Sequence, residues 1–250
     1  MIIDNNPVRR DSVTSYGLSD DAWQGFTQTV MQMILDRGCH TVCEIGGGAN
    51  PALPRDFVER NRLEYVIIDI SAEELDKAPK EYRTRVMDVT QPILSEEGVY
   101  DFVFSKMLAK HVKDGATFHR NIHQLLRKNG LAFHFFPTLY APPYVLNLLL
   151  PERLTYRMLN LIQSGREKSG RLGKFPAYYR WCRGPTRRQI GRFESLGYRV
   201  LRYTGFFGHP GYYARMPLLE RTHRALASWL LRHPQPWLTS FAYVVLEKKA

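Results

Sequence analysis

A short apolar segment that runs directly into three glycines constrains this chain more than any other feature. Residues 41–45 have the composition of a buried strand, and Gly46, Gly47 and Gly48 follow at once. Glycines at the end of a strand remove Cβ atoms, so the main chain can approach a bound ligand closely. The turn therefore predicts a ligand site at the carboxyl end of a strand.

Strand and helix patterns alternate on both sides of this turn. Near-continuous apolar runs predict strands covered on both faces, as in a parallel sheet. We expect these strands at 41–45, 65–69, 85–89, 102–105, 131–136, 199–204 and 241–247. Helical spacing predicts helices at 20–37, 53–62, 72–77, 116–128 and 218–232, with Ser19 as an N-cap and Asn129-Gly130 as a C-cap. The alternation predicts a doubly wound α/β sheet.

The length of 250 residues is enough for one well-buried core, so we expect a single domain with four parts. Residues 1–37 are expected to form an N-terminal helical arm or lid, and residues 38–137 a ligand-binding core. Residues 138–192 are aromatic, basic and interrupted by proline and glycine, which predicts an insertion that is longer than an ordinary connection. Residues 193–250 are expected to supply C-terminal strands with an inserted helix.

The charge is distributed unevenly along the chain. Residues 1–150 hold 16 basic and 19 acidic side chains, a net charge of −3, whereas residues 151–250 hold 19 and 5, a net charge of +14. Such a basic half predicts an anionic partner, which could be nucleic acid, an acidic lipid surface or a small anionic molecule. A basic, solvated face without a partner is the alternative interpretation.

Cysteine usage and hydropathy indicate the compartment. Cys39, Cys43 and Cys182 form no paired spacing, so we expect neither a disulfide framework nor a metal site, and a reducing cytoplasm. The longest apolar run, 140–150, is too short for a bilayer, which needs about 20 apolar residues. We expect a cytoplasmic protein that is able to make peripheral contact with an anionic membrane.

A dinucleotide-binding fingerprint fits the glycine turn poorly. In the pattern GxGxxG that starts at Gly46, the third glycine would fall on Pro51. Glu44, just before the turn, would also place a carboxylate near a pyrophosphate. An NAD-dependent oxidoreductase is therefore disfavoured.

The pattern instead resembles the class I S-adenosylmethionine-dependent methyltransferases of the small-molecule type. Their first motif is an acidic residue followed by GxG, here Glu44, Gly46 and Gly48, with Asn50 in place of a third glycine. Later motifs, in the same order, cover residues 38–137. The resemblance implies a Rossmann-like sheet of seven strands, mostly parallel with an antiparallel last strand. It also implies S-adenosyl-L-methionine as the cofactor.

The same resemblance assigns cofactor contacts to the ends of the strands. The glycine turn would contact the methionine moiety, and Asp69 both ribose hydroxyls, since a carboxylate accepts two hydrogen bonds at once. Asp88 would lie near the adenine amino group. The expected cofactor-binding residues are Glu44, Gly46, Gly47, Gly48, Asn50, Asp69, Ile70, Asp88, Val89 and Ser105.

Candidates for catalysis lie after the fourth and fifth strands of this core. His111 follows the fourth, where the acceptor is expected, and could act as a general base because histidine titrates near neutral pH. It could equally cap a helix or support the cofactor. Tyr140 is a second candidate, and His134 on an apolar strand is expected to belong to the core. Pro142-Pro143-Tyr144 follows the fifth strand, so it does not indicate methylation of an exocyclic amine.

Arginine and tyrosine side chains in the insertion and after strand 199–204 suit a carboxylate or phosphate. The expected acceptor-binding residues are Tyr178, Tyr179, Arg180, Arg183, His209, Tyr212 and Tyr213. The hypothesis is O-methylation of an anionic small molecule or a lipid- or glycan-linked acceptor, and a carboxylate acceptor would need no base. Two alternatives remain open: an RNA methyltransferase, and a non-catalytic scaffold that binds a partner or an anionic membrane through 145–162 and 218–232.

Overall fold

A computed structural model describes residues 13–93, 97–139, 176–209 and 216–249, and a mixed sheet runs through them. Its strands are β1 (Thr14–Leu18), β2 (Thr41–Ile45), β3 (Glu64–Asp69), β4 (Arg83–Val86), β5 (Tyr100–Lys106), β6 (Leu126–Pro137), β7 (Tyr198–Phe207) and β8 (Phe241–Lys248). They are ordered β1-β7-β8-β6-β5-β2-β3-β4. β8 is antiparallel to β6 and β7, and the other pairings are parallel.

The predicted sheet type is confirmed, but the predicted number of seven strands is wrong for the described residues. An eighth strand, β1, pairs in parallel with β7, from Thr14 opposite Tyr203 to Leu18 opposite Phe207. All five residues of β1 are only half-buried, because the strand lies at the edge of the sheet. A short, half-buried edge strand lacks the continuous apolar run by which the other strands were predicted.

The helices lie at α1 (Ser19–Arg37), α2 (Arg55–Arg60), α3 (Ala72–Asp76), α4 (Gly115–Leu125), α5 (Arg187–Glu194) and α6 (Pro217–Arg232). Ser19 is the first residue of α1 rather than its N-cap. The predicted end of α4 at Lys128 is also wrong, because Leu126 is already extended and begins β6. Asn129, with φ +62°, makes a left-handed turn within β6 instead of capping the helix.

Aromatic side chains fill the space between the sheet and α1. The Phe26 ring stacks on Phe133 of β6, with 5.6 Å between centroids, and also contacts Phe104 of β5 and Phe135 of β6. Because side chains alternate along a strand, His134 faces the opposite side of the sheet, where it meets α4. Each buried phenylalanine stabilises the fold by about 1.5–3 kcal/mol.

Three buried histidines should make the protein sensitive to acid. Burial lowers the pKa of His134 to about 3 and that of His119 well below its usual range. Burial, with the nearby His223 second, lowers the pKa of His209 to about 3. Between pH 6.5 and 3 the unfolded chain therefore binds more protons than the folded chain, and stability falls as the pH falls.

We expect the melting temperature to fall steadily from pH 7 to pH 5 in scanning calorimetry. Each of these histidines contributes up to about 1.4 kcal/mol per pH unit below its unfolded pKa. His134→Asn, which keeps a polar partner for Ser105, should flatten this dependence. The exposed His40→Asn is the matched control, and an equal slope in wild type and H134N would contradict the assignment.

Candidate functional site

The glycine turn lies at the carboxyl edge of the sheet, between β2 and α2. The Gly46 N–H donates to the carbonyl oxygen of Ile68 at 2.7 Å, which ties the turn to the end of β3. Gly46 and Gly48 have φ of +78° and +46°, a region that favours glycine. A Cβ on Gly46 would lie 2.9 Å from Leu108 Cδ1, and one on Gly48 3.3 Å from Asp69 Oδ2. The turn is thus main chain packed tightly against the ends of β3 and β5.

The buried side chain of Glu44 packs against this turn. Its carboxylate is buried and accepts hydrogen bonds from the Ala52 N–H, at 2.9 Å, and from the Tyr65 hydroxyl. Burial raises the pKa of Glu44, while the two hydrogen bonds and the charge of Lys106 act against that rise. A Cβ on Gly47 would lie 2.9 Å from Glu44 Cδ. Because this carboxylate is already engaged under the loop, its placement supports a positioning role and not the expected direct contact with a ligand.

Asp69 is the last residue of β3 and lies beside Gly48. Its Oδ1 accepts the Ser71 N–H at 2.9 Å, which fixes the orientation of the half-buried carboxylate. Ile70 follows and is exposed, and Ser71 caps α3 by accepting the Glu74 N–H. Since the ends of β2 and β3 are adjacent, the structure brings the glycine turn and Asp69 together, as the sequence predicted.

Asp88 extends this edge beyond β4. The Met87 N–H donates to the carbonyl oxygen of Asp69 at 2.9 Å, so Asp88 follows directly at the edge. Partial burial would raise the pKa of Asp88, but hydrogen bonds from the Thr90 hydroxyl and N–H and from the Gln91 amide lower it overall. The Asp88 carboxylate is therefore an anion that is oriented by its neighbours.

Two other residues were expected to contact the cofactor: Val89, which follows Asp88, and Asn50, which lies in the glycine turn. Val89 is buried, and its carbonyl oxygen accepts from the Asn121 side chain of α4 at 2.8 Å. Asn50 is exposed, and its N–H donates to the Gly47 carbonyl oxygen at 3.0 Å, inside the turn. Both residues are close to the candidate site in the chain, and direct ligand contact by either stays a prediction.

Ser105 differs from its expected role. Its side chain is fully buried, and its hydroxyl bonds His134 Nδ1 at 2.8 Å on the neighbouring strand β6. Alternation along β5 turns Phe104 and Lys106 toward α1 and Ser105 to the other face. We therefore assign the Ser105 side chain, with the expected core residue His134, to the core and not to the cofactor site.

Lys106 is a candidate site residue that the sequence reasoning missed. Its Nζ lies 5.0 Å from the centroid of the Phe26 ring and 5.6 Å from that of Trp23, both on α1. Lys106 is the last residue of β5, one residue past the pair Ile45–Ser105, so its main chain adjoins the start of the glycine turn. Its charge also acts on the Glu44 carboxylate. The sequence feature that could have identified Lys106 is a lysine at the end of a buried apolar strand.

His111 ends a short 3₁₀ turn, Ala109–His111, that follows β5. Its Nδ1 lies 3.0 Å from the carbonyl oxygen of Pro176. Because a carbonyl oxygen can only accept, Nδ1 must carry the proton, and in the neutral ring Nε2 is then the basic nitrogen. The N–H groups of Tyr178 and Tyr179 both donate to the Lys110 carbonyl oxygen, so this turn is held against residues 176–183. The predicted catalytic role of His111 stays a prediction.

The expected acceptor residues divide into two groups. Tyr178 and Arg180 are exposed beside the His111 turn and could reach a ligand there. Tyr179 is buried, and the Arg183 guanidinium donates to the carbonyl oxygens of Tyr179 and Cys182 at 2.8 and 3.0 Å. His209 is mostly buried against the Phe241 ring. These last three are placed to support the local packing, and Tyr140, Tyr212 and Tyr213 lie outside the described residues.

Comparisons with known proteins agree with the observed fold. Residues 43–134, from β2 to β6, match the model of a family described as a methyltransferase domain. That segment contains the glycine turn, Asp69, Asp88, Lys106 and His111. No curated protein matches the chain in sequence.

Solved methyltransferases share the fold at low identity. An S-adenosylmethionine-dependent methyltransferase from Mesorhizobium loti is 16% identical, with a TM-score of 0.52 over 88% of this chain and 96% of that chain. A SAM-dependent methyltransferase from Archaeoglobus fulgidus is 12% identical, with a TM-score of 0.52 over 92% and 98%. Geranyl diphosphate C-methyltransferase from Streptomyces coelicolor, in complex with S-adenosyl-L-homocysteine, is 10% identical, with a TM-score of 0.52 over 88% and 78%.

Proposed function

We propose that this chain, a class I S-adenosylmethionine-dependent methyltransferase, transfers a methyl group to an oxygen atom of an anionic small-molecule or lipid- or glycan-linked acceptor. The observation that carries the cofactor site is the contact between the glycine turn and the end of β3. A Cβ on Gly48 would lie 3.3 Å from Asp69 Oδ2, a tight contact, so the main chain of the turn lies directly beside that carboxylate.

The residues at this edge fit S-adenosyl-L-methionine. Asp69 offers a carboxylate to the two ribose hydroxyls, and Gly46 to Gly48 offer close approach of the main chain. Asp88, an anion beyond β4, is placed for the adenine amino group. When bound, the cofactor supplies an electrophilic methyl group on a sulfonium sulfur.

We assign the acceptor side to Lys106, at the end of β5, and to His111, in the turn that follows β5. The Lys106 ammonium group lies over two aromatic rings in a half-buried position, where a cation attracts an anionic acceptor more strongly than in bulk water. The exposed Arg180 adds a guanidinium group to the same region. His111 Nε2 would take the proton from a hydroxyl acceptor, whereas a carboxylate acceptor would need only orientation.

The type of methylated atom can be read from the product. Purified protein would be incubated with cofactor that carries a tritium-labelled methyl group and with fractions of carboxylates, phenols, phosphorylated alcohols, acidic lipids and RNA. A methyl ester releases volatile methanol in mild base, whereas a methyl ether keeps the label. We expect labelled ester or ether in an anionic fraction. Label on nitrogen or carbon, or label confined to RNA, would contradict O-methylation of such an acceptor.

Lys106→Met should weaken use of the acceptor without weakening cofactor binding. Loss of one charge-assisted contact to the acceptor, worth about 1.5–3 kcal/mol, should raise KM about 10- to 100-fold. Lys106→Arg should retain most of the activity. The control is Lys113→Met, which removes an exposed lysine from the same connection. If the dissociation constant of the cofactor rose instead of the acceptor KM, Lys106 would belong to the support of Glu44.

Buried free thiols are consistent with the expected compartment. Cys39, Cys43 and Cys182 are all buried and unpaired by disulfides. We propose that the protein acts in the reducing cytoplasm, in a biosynthetic reaction. Among the described helices, none combines the length and apolarity of a membrane-spanning segment.

A further inference from the structure

Helix α6 carries an exposed apolar stripe. Four large side chains share it, with exposed fractions of 76, 44, 54 and 48%: Leu218, Leu219, Leu226 and Trp229. At 100° per residue they fall within an arc of about 100° on the helix surface. The buried residues of α6, Ala227 and Leu230, lie next to one edge of the stripe and hold the helix against the protein. Among the residues that the structure describes, the stripe is therefore open to solvent.

Basic side chains flank one side of this stripe. Arg221 and Arg232 are exposed and follow the same helical pattern just beyond the stripe. Arg224 is directed away from it, toward Glu220 of α6 and Asp20 of α1, at 2.8 and 3.2 Å. Residues 151–250, the part of the sequence that contains α6, have a net charge of +14. A partner that fits both features has an apolar region that meets the stripe and negative charges that meet the flanking arginines.

We propose that α6 docks on the surface of an anionic lipid bilayer. Leucine and tryptophan on one face with arginine at its border are the composition of helices that lie in the headgroup region. The stripe lies on one convex helix rather than in a groove, which suits a flat, deformable surface. Trp237, five residues after the end of α6, is a further exposed apolar side chain.

The position of α6 indicates which edge of the sheet would face the membrane. At the end of β7, the His209 N–H donates to His223 Nε2 of α6 at 2.6 Å, and a Cβ on Gly208 would lie 3.2 Å from Ala227 Cβ. Since β7 is parallel to β6, β5 and β2, its end lies at the same edge as the glycine turn. A docked α6 would hold this edge close to the membrane. The docking itself does not depend on which acceptor is methylated.

Co-sedimentation of the full chain with vesicles tests the proposal. We expect binding to vesicles of phosphatidylcholine with 30% phosphatidylserine, and little binding to phosphatidylcholine alone. Arg221→Ser with Arg232→Ser should weaken binding on the order of 30-fold, because each basic residue near an anionic surface strengthens binding about 5-fold and the two factors multiply. Equal binding to both types of vesicle, or none to either, would overturn the proposal.

A matched pair of charge substitutions tests the stripe itself. Leu226→Glu should reduce vesicle binding by roughly 10-fold or more, since it removes an inserted side chain and adds a negative charge. Ser228→Glu adds the same charge at an exposed position outside the stripe and removes no apolar side chain, so it should reduce binding only about 5-fold. Equal losses in the two variants would contradict docking through the stripe. A dimer in gel filtration that Leu226→Glu dissociates, without vesicle binding, would identify a second copy of the chain as the occupant.

Both variants change exposed positions, so we expect both to fold. Circular dichroism and the melting temperature would check this before vesicles are added. Trp229→Ser provides a second, uncharged test of the stripe. Vesicle binding that Trp229→Ser leaves unchanged would also count against the proposal.

Discussion

Asp69→Ala should weaken the binding of S-adenosylmethionine by at least about 100-fold while the fold survives. The carboxylate is expected to accept two charge-assisted hydrogen bonds from the ribose, each worth about 1.5–3 kcal/mol. The hydrogen bond that its Oδ1 accepts from the Ser71 N–H lies at the half-buried end of β3, where water can replace it. Isothermal titration calorimetry with S-adenosylhomocysteine measures the dissociation constant directly.

Two further variants separate ligand binding from a general loss of charge. Asp69→Asn keeps the shape and part of the accepting capacity, so its loss of affinity should be intermediate. Asp76→Ala removes an exposed carboxylate of α3 from the same side of the chain and should leave the affinity unchanged. An unchanged dissociation constant for Asp69→Ala, or an equal loss in Asp76→Ala, would remove the ribose assignment.

His111→Ala should lower kcat by a factor on the order of 100 or more if the acceptor is a hydroxyl, the usual contribution of a general base. The hydrogen bond from Nδ1 to Pro176 leaves Nε2 as the basic atom, so the proton would pass from the acceptor to Nε2. In the wild type, kcat should rise with pH as the imidazole loses its proton. In the variant this limb of the pH profile should disappear.

A structural role for His111 predicts a different result. His111→Gln can keep a donor to the Pro176 carbonyl but has no basic nitrogen, so it should be as slow as His111→Ala. If His111→Gln restored activity, or if only KM changed, the residue would position the 176–183 segment and would not be a base. His40→Gln, at the opposite edge of the sheet, serves as the control.

The sequence predicts the strands at the centre of the sheet well, because their residues are buried on both faces. β2 was predicted at its observed bounds, Thr41–Ile45, and all five of its residues are buried. β1 was missed because it is only half-buried and its partner in the sheet, β7, lies about 190 positions later in the chain. The end of α4 was misplaced by three residues, since Asn129-Gly130 is a turn signal that serves a strand as well as a helix.

The carboxylates of the candidate site were predictable for a topological reason. The carboxyl ends of adjacent parallel strands meet at one edge, so residues that directly follow β2, β3 and β4 must be neighbours. The direction of a side chain is harder to predict. Ser105 and Lys106 are consecutive, yet one bonds His134 in the core and the other lies over Phe26. Which of them faces the site depends on how α1 and α4 cover the two faces of the sheet.

Burial distinguishes the expected acceptor residues that are exposed from those that pack inside the protein, among the residues that the structure describes. Arginine, tyrosine and histidine are binding residues on a surface, but the same types serve as packing residues when distant segments cover them. Arg183 donates to two nearby carbonyl oxygens, and its own carbonyl oxygen accepts from the Tyr203 hydroxyl at 2.7 Å. Such contacts depend on the tertiary fold and leave no pattern in the local sequence.

A crystal structure of the protein with S-adenosylhomocysteine tests the central claim most directly. We predict that both ribose hydroxyls lie within hydrogen-bonding distance of the Asp69 carboxylate, with the amino-acid tail over Gly46–Gly48 and the sulfur directed toward Lys106 and His111. Density for the nucleoside at any other edge of the sheet, or a turn that closes against Asp69 and leaves no room for the ribose, would contradict it.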